Sequence, residues 1–238
     1  MAVTTRPSLV RDPRGTRSTI ALKLLMATSG VLFIAFVLGH MYGNLKAFGG
    51  EEKFNDYAEH LREIGEPLLP YGGLLWIIRV GLIAALVVHV ASAVALARRA
   101  GRARTTKYVA RKYTKSAISS RTMRWGGATL LVFLIWHLLN FTIVKVDVSN
   151  GDTGVKNPYE LMVANFEVWW LTIIYLVAMV ALGLHLHHGT WSSLQTLGLT
   201  NSVAARTRAK LAGWVVAVVV AGGFSLVPVS VLLGIIEK

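Results

Sequence analysis

Five long apolar runs, separated by shorter polar segments, dominate the chain. They occupy residues 24–45, 71–97, 125–146, 168–188 and 211–236. Each run has about 20 residues or more, which is enough for an α-helix to cross a hydrocarbon core about 30 Å thick. We therefore predict an all-α integral membrane bundle of five transmembrane helices, the last of them kinked at Pro228.

Two shorter patterns lie between these runs. In the first outer loop, apolar residues recur at helical spacing with acidic residues on the opposite face. This pattern predicts a short amphipathic helix at the membrane interface. The apolar residues are Phe54, Tyr57, Ala58, Leu61 and Ile64. The dipeptide Asn157-Pro158 predicts a turn between the third and fourth spans.

Composition supports the membrane assignment and excludes other classes. The chain is 54% hydrophobic and 16% charged, and its net charge of +13 comes from basic residues beside the apolar runs. Because no basic stripe lies on a foldable soluble domain, we do not expect nucleic-acid binding. The absence of cysteine excludes disulfides, a covalently attached c-type haem and a thiolate-held iron–sulfur cluster.

The distribution of charge predicts the orientation. Residues 1–23, residues 98–124 and the trio Arg206, Arg208 and Lys210 together contain 18 of the 25 Lys and Arg residues, whereas the other two loops hold ten of the twelve acids. The positive-inside rule then places the N-terminus in the cytoplasm. We divide the chain into a cytoplasmic N-terminal segment, residues 1–23, and a five-helix transmembrane domain, residues 24–238.

Four histidines carry the candidate chemistry. His40, His89, His137 and His185 fall one on each of the first four spans. A histidine within a span is costly and usually faces the bundle interior as a functional group, although four unrelated helix–helix hydrogen bonds are the alternative.

Depth sorts these histidines into two pairs. Each lies in the later half of its span, and successive spans alternate in direction, so His40 and His137 lie toward the outer surface and His89 and His185 toward the cytoplasm. Two facing imidazoles at one depth match the axial ligands of a six-coordinate haem b. The sequence therefore predicts an outer and an inner haem.

Two glycines recur at the same spacing. Gly30 precedes His40 by ten residues, and Gly127 precedes His137 by ten. Ten helical residues rise about 15 Å, which brings each glycine to the depth of the inner pair, where a missing side chain would admit a porphyrin plane. Packing of small residues between helices explains these glycines equally well.

Three further polar residues near or within the spans have open roles. His188 shares a helical face with His185 and is a candidate neighbour of a haem propionate or quinone, whereas His187 points about 200° away, toward lipid headgroups or a partner subunit. Arg79, a charge within the second span, either snorkels to the surface or pairs with an outer haem propionate.

Four motifs in order give the chain a family resemblance. They are Gly39-His40 followed by Asn44, Val88-His89, Arg124-x-x-Gly127 leading to Trp136-His137, and His185-x-x-His188-Gly189-x-Trp191-Ser192. Over about residues 20 to 236, the sequence resembles the cytochrome b558-type membrane anchor of succinate:quinone oxidoreductases and quinol:fumarate reductases.

The resemblance implies a set of cofactors and partners. It implies two b haems with His40 and His137 on the outer iron and His89 and His185 on the inner iron. It also implies quinone exchange (menaquinone or ubiquinone), surrounding membrane lipid, and an iron–sulfur subunit and a flavoprotein on the cytoplasmic side. Such succinate dehydrogenases lie in the inner (plasma) membrane of a bacterium and link the tricarboxylic acid cycle to the respiratory chain; this chain itself has no dicarboxylate site.

Quinone chemistry needs hydrogen-bond donors and a proton route. The candidates on the cytoplasmic side are Arg124, His188, Trp191 and Ser192, with Ser29 from the first span. On the outer side, Glu66 is a candidate proton relay.

Two other functions remain open at this point. One is the cytochrome b subunit of another quinone-linked dehydrogenase, of the hydrogenase or formate dehydrogenase type. The other is a transporter that uses a histidine relay; transporters usually contain internal repeats or broken helices, and the sequence has no convincing repeat.

The basic cytoplasmic loop generates a first prediction. Residues 98–124 include ten Lys and Arg residues, which either attract anionic lipid or form the main docking surface for the soluble subunits. We expect cross-linking of the intact complex to join Lys107, Lys112 or Lys115 to a soluble subunit. Absence of such cross-links, with efficient linking elsewhere in the complex, would contradict the docking role.

Overall fold

The computed structural model of the chain describes residues 18–103, 115–148, 151, 153 and 157–237, with the backbone alone for residues 115–122. All of the regular elements in these residues are helices: α1 (Thr19–Leu45), α2 (Glu51–Glu63), α3 (Gly73–Arg102), α4 (Lys115–Leu138), α5 (Pro158–Glu167), α6 (Trp169–Thr196) and α7 (Val203–Leu232). A short 3₁₀ helix (Lys46–Gly49) follows α1, and a π-helical turn (Leu139–Ile143) continues α4.

Five of these helices are long and apolar enough to span a membrane, namely α1, α3, α4 with its π turn, α6 and α7. The prediction of an all-α, multi-pass membrane protein is thereby confirmed. Such helices need a hydrocarbon solvent: on α3 alone, Ile77, Val80, Ile83 and Val87 are 58%, 61%, 60% and 62% exposed.

The helices are longer than the apolar runs that predicted them. α1 begins at Thr19, five residues before the predicted span, because the Ser18 hydroxyl accepts a hydrogen bond from the Ala21 amide at 3.1 Å. α4 begins at Lys115, ten residues early, and α6 continues eight residues beyond His188. An apolar run measures only the part of a helix that needs hydrocarbon, and polar residues continue the same helix beyond it.

Helix α5 is absent from the sequence-based expectation, which placed only a turn at Asn157-Pro158. Asn157 is its N-cap, accepting hydrogen bonds from the amides of Tyr159 and Glu160, and Pro158 occupies its first turn. Residues 161–166 of α5 are all buried. A short helix that is buried on every side has no amphipathic period, and this explains why the sequence pattern did not reveal it.

Helices α1 and α6 form the centre of the bundle. They pack on each other and both pack on α7, whereas α3 packs on α1 and α4 packs on α6. We call the end of the bundle that carries α2 and α5 the cap end. The opposite end, where α1, α4 and α7 begin, is the basic end.

Hydrogen bonds tie the two short helices together at the cap end. The Asn157 amide donates to the Glu51 carboxylate, and the Tyr159 backbone amide donates to Asn55 Oδ1 at 3.3 Å. The Tyr159 hydroxyl donates to the Glu237 carbonyl at 2.9 Å, which joins α5 to the end of the chain after α7. Burial of the Tyr159 side chain raises the pKa of its hydroxyl.

Two tryptophans on α6 have the spacing of a bilayer. Trp170 and Trp191 lie 21 residues apart on one helix, which corresponds to about 31 Å at 1.5 Å per residue. Tryptophan is enriched at both surfaces of a membrane, and the hydrocarbon core is about 30 Å thick. The length of α6 between these residues therefore matches a single crossing.

Helices α6 and α7 approach each other closely at Gly213. A Cβ atom at this position would lie 2.5 Å from the backbone carbonyl oxygen of His187. A methyl group therefore cannot be added without separating the two helices, which is an overpacking change worth about 1–3 kcal/mol. Gly222 on the same helix has nothing within 4 Å of the corresponding Cβ position.

We expect Gly213→Ala to lower the midpoint of thermal unfolding in detergent, because the added methyl group meets rigid backbone. Gly222→Ala is the matched control and should unfold at or above the wild-type temperature, since alanine favours the helix. Equal midpoints for the two variants would contradict the close approach of α6 and α7.

Candidate functional site

The four span histidines meet two at a time. The ring centroids of His40 and His137 lie 5.9 Å apart with an interplanar angle of 72°. Those of His89 and His185 lie 6.3 Å apart with an angle of 58°. We call these the cap-end pair and the basic-end pair; they are the two pairs that the sequence analysis assigned to the outer and inner haems.

Each pair joins two helices whose backbones are not close neighbours. Neither α1 with α4 nor α3 with α6 is among the main packing contacts within the described residues. The imidazoles therefore meet between helices that share few close backbone contacts. A third contact links the helices of each pair: α6 packs on both partners of the cap-end pair, and α1 on both partners of the basic-end pair.

The two pairs lie at different depths. Ser29 contacts His89 and lies eleven residues before His40 on α1. Tyr175 contacts His137 and lies ten residues before His185 on α6. At 1.5 Å per residue, both helices separate the pairs by about 15 Å along the bundle.

The spacing within each pair suits two ligands on one metal ion. Two metal–imidazole bonds of about 2 Å, with about 1 Å from each nitrogen to its ring centre, give centroids about 6 Å apart. Among the described residues, no three His, Asp or Glu side chains converge to complete a metal site. A donor set of two imidazoles fits haem, whose macrocycle supplies the other four ligands.

A serine fixes one ring of the basic-end pair. Ser29 Oγ lies 3.1 Å from His89 Nδ1 and donates its own proton to the Leu25 carbonyl at 2.7 Å. The serine oxygen must then accept from a protonated Nδ1, which leaves Nε2 of His89 as the nitrogen able to ligate a metal. The sequence analysis placed Ser29 near quinone or a propionate; in the structure its hydroxyl contacts this imidazole.

A tyrosine has the corresponding position in the cap-end pair. The Tyr175 hydroxyl lies 3.2 Å from His137 Nδ1, and its side chain is 5% exposed. The surrounding rings are Phe133, Phe141 and Phe166, with centroids 4.9 to 6.0 Å from that of Tyr175. His40, the other member of the pair, has Phe36 and Phe224 as ring neighbours, each at 5.5 Å.

Two buried asparagines extend the polar contacts of the cap-end pair. Asn140 lies in the π-helical turn, one turn after His137, and its amide donates to Asn165 Oδ1 at 3.3 Å. Asn165 is fully buried and donates to the carbonyls of Leu161 and Val146. π-Helical turns are rare overall, but those that occur are frequently found at functional sites. The position of this turn beside His137 agrees with that tendency.

Gly30 and Gly127 both face imidazoles of the basic-end pair. A Cβ atom at Gly30 would lie 3.5 Å from Cε1 of His89, and one at Gly127 would lie 3.6 Å from Cε1 of His185. The depth predicted for both glycines agrees with these contacts. In the structure each glycine is next to a histidine ring, whereas the sequence analysis expected a porphyrin plane beside it.

The quinone candidates of the basic end lie beyond the basic-end pair. His188 and Trp191 contact each other through their rings, with centroids 5.3 Å apart. Ser192 is half-buried on α6, and Arg124 is exposed one turn before Gly127 on α4. The backbone thus brings Arg124, His188, Trp191 and Ser192 to one end of the bundle, while Ser29 lies at the histidine pair itself.

The remaining polar candidates are more dispersed. Glu66 is exposed in the loop between α2 and α3. The Arg79 guanidinium lies 5.1 Å from the Trp76 ring, one turn nearer the cap end, and both snorkelling and pairing with an outer haem propionate stay open. The His187 ring packs against Trp214 of α7 at 4.2 Å, where Gly213 lets the helices approach, and its exposure to lipid headgroups or a partner subunit stays a prediction. Lys107 and Lys112 lie outside the described residues.

Sequence reasoning missed several residues of the site. Tyr175, Asn140 and Asn165 escaped notice because each is a single polar group in a largely apolar segment, and Ser193 because it lies in a polar run at the end of a span. Asn140 carried a usable signal, since it follows His137 by three residues and therefore shares its helical face. Ser193, whose hydroxyl lies 3.8 Å from the Cβ position of Gly30, is adjacent to the predicted Ser192 but points into the bundle.

The chain matches none of the known protein-family models, and no curated protein or solved structure matches it either.

Proposed function

We propose that this chain is the membrane-anchor cytochrome b subunit of a succinate dehydrogenase (succinate:quinone oxidoreductase). In this role it passes electrons between a cytoplasmic iron–sulfur subunit and membrane quinone through two b haems. The observation that carries the proposal is the meeting of four span histidines two at a time, at two depths, with ring centroids 5.9 and 6.3 Å apart. The four motifs that resemble the cytochrome b558-type anchors also support it.

The residues present fit two haems. His40 and His137 would hold one haem, and His89 and His185 the other. Ser29 contacts Nδ1 of His89 and Tyr175 contacts Nδ1 of His137, so these two histidines would use Nε2. Haem b, when bound, supplies a reversible one-electron couple. Held by two neutral imidazoles, such a haem would suit electron transfer rather than binding of small molecules.

The protein's own part in the mechanism is to hold and separate these ligands. The hydroxyls of Ser29 and Tyr175 contact Nδ1 of His89 and of His137 and so restrain the orientation in which these rings would hold a haem. The depth difference of about 15 Å divides the passage across the bundle into two stages. Phe133, Phe141 and Phe166 keep the cap-end pair in apolar surroundings.

We place the basic end in the cytoplasm of a bacterium, with the chain in its inner (plasma) membrane. The support is the excess of Lys and Arg in the segments next to that end. The iron–sulfur subunit would dock there on residues 98–124, with the flavoprotein bound to it. Helix α2, with acids on one side and apolar residues on the other, would lie at the outer interface.

Quinone would meet the protein at the basic end. His188, Trp191, Ser192 and Arg124 supply hydrogen-bond donors and a cation there, next to the basic-end pair. A quinone carbonyl needs such donors as it accumulates negative charge on reduction. Glu66, exposed beyond the cap end, would serve as a proton relay only for chemistry on the outer side.

Loss of individual histidines tests the pairing. We expect His40→Ala and His137→Ala each to abolish the same one of two spectrally distinct haems, and His89→Ala and His185→Ala each to abolish the other. Absorption spectra and redox titrations of the purified complex measure this. His60→Ala is the control, because His60 is exposed on α2, and it should retain both haems.

Two results would contradict the proposal. An active wild-type complex without haem would favour a histidine-relay transporter. Removal of the same haem by His40→Ala and His89→Ala would mean that the pairs are assigned wrongly. Subunits that co-purify from native membranes distinguish a succinate dehydrogenase from a hydrogenase or formate dehydrogenase.

Substitutions at the basic end test the quinone site. We expect Ser192→Ala, Trp191→Leu and His188→Leu each to lower the quinone-reductase rate of the complex by about 2- to 10-fold, the value of one hydrogen bond or ring contact. Succinate oxidation with a soluble acceptor should stay unchanged. Ser225→Ala, which removes a hydroxyl bonded only to the Ala221 carbonyl, is the control. Quinone-reductase rates at the wild-type level in all three variants would remove the basic-end site.

A further inference from the structure

Two helix contacts at the basic-end pair have nearly the same geometry. A Cβ atom at Gly30 of α1 would lie 3.5 Å from Cε1 and 3.9 Å from Nδ1 of His89 on α3. At Gly127 of α4, the corresponding distances to His185 on α6 are 3.6 and 3.9 Å. Each histidine of the pair thus packs the same ring edge against a glycine of the neighbouring helix.

The residue before each glycine differs between the two contacts. In α1 it is Ser29, whose hydroxyl lies 3.1 Å from His89 Nδ1. In α4 it is Gly126, which has no side chain. Within the described part of the chain, the buried Nδ1 of His185 has no hydrogen-bond partner. A buried polar atom without a partner is uncommon. Here the partner is missing because position 126, which corresponds to Ser29, is a glycine.

The hydroxyl of Ser29 has an electronic as well as a geometric effect. Its proton is directed to the backbone, with the Leu25 carbonyl at 2.7 Å and the Met26 carbonyl at 3.2 Å, so its oxygen is placed to accept from Nδ1–H of His89 at 3.1 Å. A hydrogen bond from Nδ1–H makes the opposite nitrogen a stronger electron donor to a bound metal. A stronger donor stabilises the oxidised, more positive iron. His185 has no such bond, so the two ligands of this pair are unequal.

We propose that Ser29 is a positioning residue for the basic-end pair, and that glycine at position 126 withholds the corresponding hydrogen bond from His185. The number of hydroxyls at positions 29 and 126 then sets how strongly the pair favours oxidised iron. This inference rests on the proposed haem function.

The structure leaves room to supply the missing hydroxyl. The nearest atom to a Cβ built at Gly126 is the Ala181 carbonyl oxygen, 4.0 Å away. Since Gly127 and Gly30 face their histidines alike, a serine at position 126 should reach His185 Nδ1 as Ser29 reaches His89. The pair can therefore be given no, one or two such bonds by substitution.

The test is a redox titration of the purified complex, with the spectrum of each haem followed separately. Removal of one hydrogen bond by Ser29→Ala should shift the oxidised-to-reduced ratio of the basic-end haem about 2- to 10-fold toward reduced. Its midpoint potential should rise by about 20–60 mV, at 59 mV per tenfold for one electron. Gly126→Ser should lower it by a similar amount, and the cap-end haem should keep its potential in both variants.

Three controls separate the hydroxyl from its surroundings. Gly126→Ala adds the Cβ atom without the hydroxyl and should leave the potential near that of the wild type. Thr28→Ala removes a neighbouring hydroxyl that bonds only the carbonyls of Leu24 and Leu25, and should also have no effect. Ser29→Thr keeps the hydroxyl and should preserve the wild-type potential; if Ser29→Ala loses the basic-end haem altogether, its retention in Ser29→Thr supports the same role.

The outcomes that overturn the inference are distinct from those that overturn the function. Equal potentials for Gly126→Ser and Gly126→Ala, or an unchanged potential in Ser29→Ala with both haems present, would reject the role of the hydroxyls alone. A wild-type complex that contains no haem would reject the proposed function and this inference together.

Discussion

Polar groups within the spans must find their partners inside the protein, and the structure depends on how the four histidines meet this constraint. In hydrocarbon, an imidazole nitrogen cannot exchange a protein partner for water, so a buried ring nitrogen without a neighbouring hydroxyl or carbonyl, such as Nδ1 of His185, is costly. The Ser29 hydroxyl contacts Nδ1 of His89, and the Tyr175 hydroxyl contacts Nδ1 of His137. Within each pair the two rings lie about 6 Å apart, 5.9 Å at the cap end and 6.3 Å at the basic end.

This constraint also explains the arrangement of the helices. Each pair of histidines joins two helices that are not among the main packing contacts of the described residues, while the close contact of α6 with α7 involves small residues such as Gly183, Gly213 and Ala217. Close backbone packing and the histidine contacts therefore join different pairs of helices. The cap of α2 and α5, with Asn165 bonded on all sides, closes the bundle near the cap-end pair.

Much of this could be read from the sequence, and the limits have physical causes. The spans and the two-by-two grouping of the histidines follow from apolar length and from counting residues along a helix of known rise. The contact of Ser29 with His89 could not be deduced, because it depends on how α1 and α3 rotate about their own axes. Helix α5 and the polar contacts of Asn140 were missed since their signals are single residues within apolar or short segments.

The unequal packing of the helices has a consequence for biogenesis. Helices α1, α6 and α7 support one another through direct contacts, so they can associate as soon as all three have been inserted. Helices α3 and α4 each pack closely on only one central helix, and the histidines they carry reach toward the other helix of their pair. We expect these two helices to dock last, so that the meeting of the histidine rings completes the assembly of the bundle.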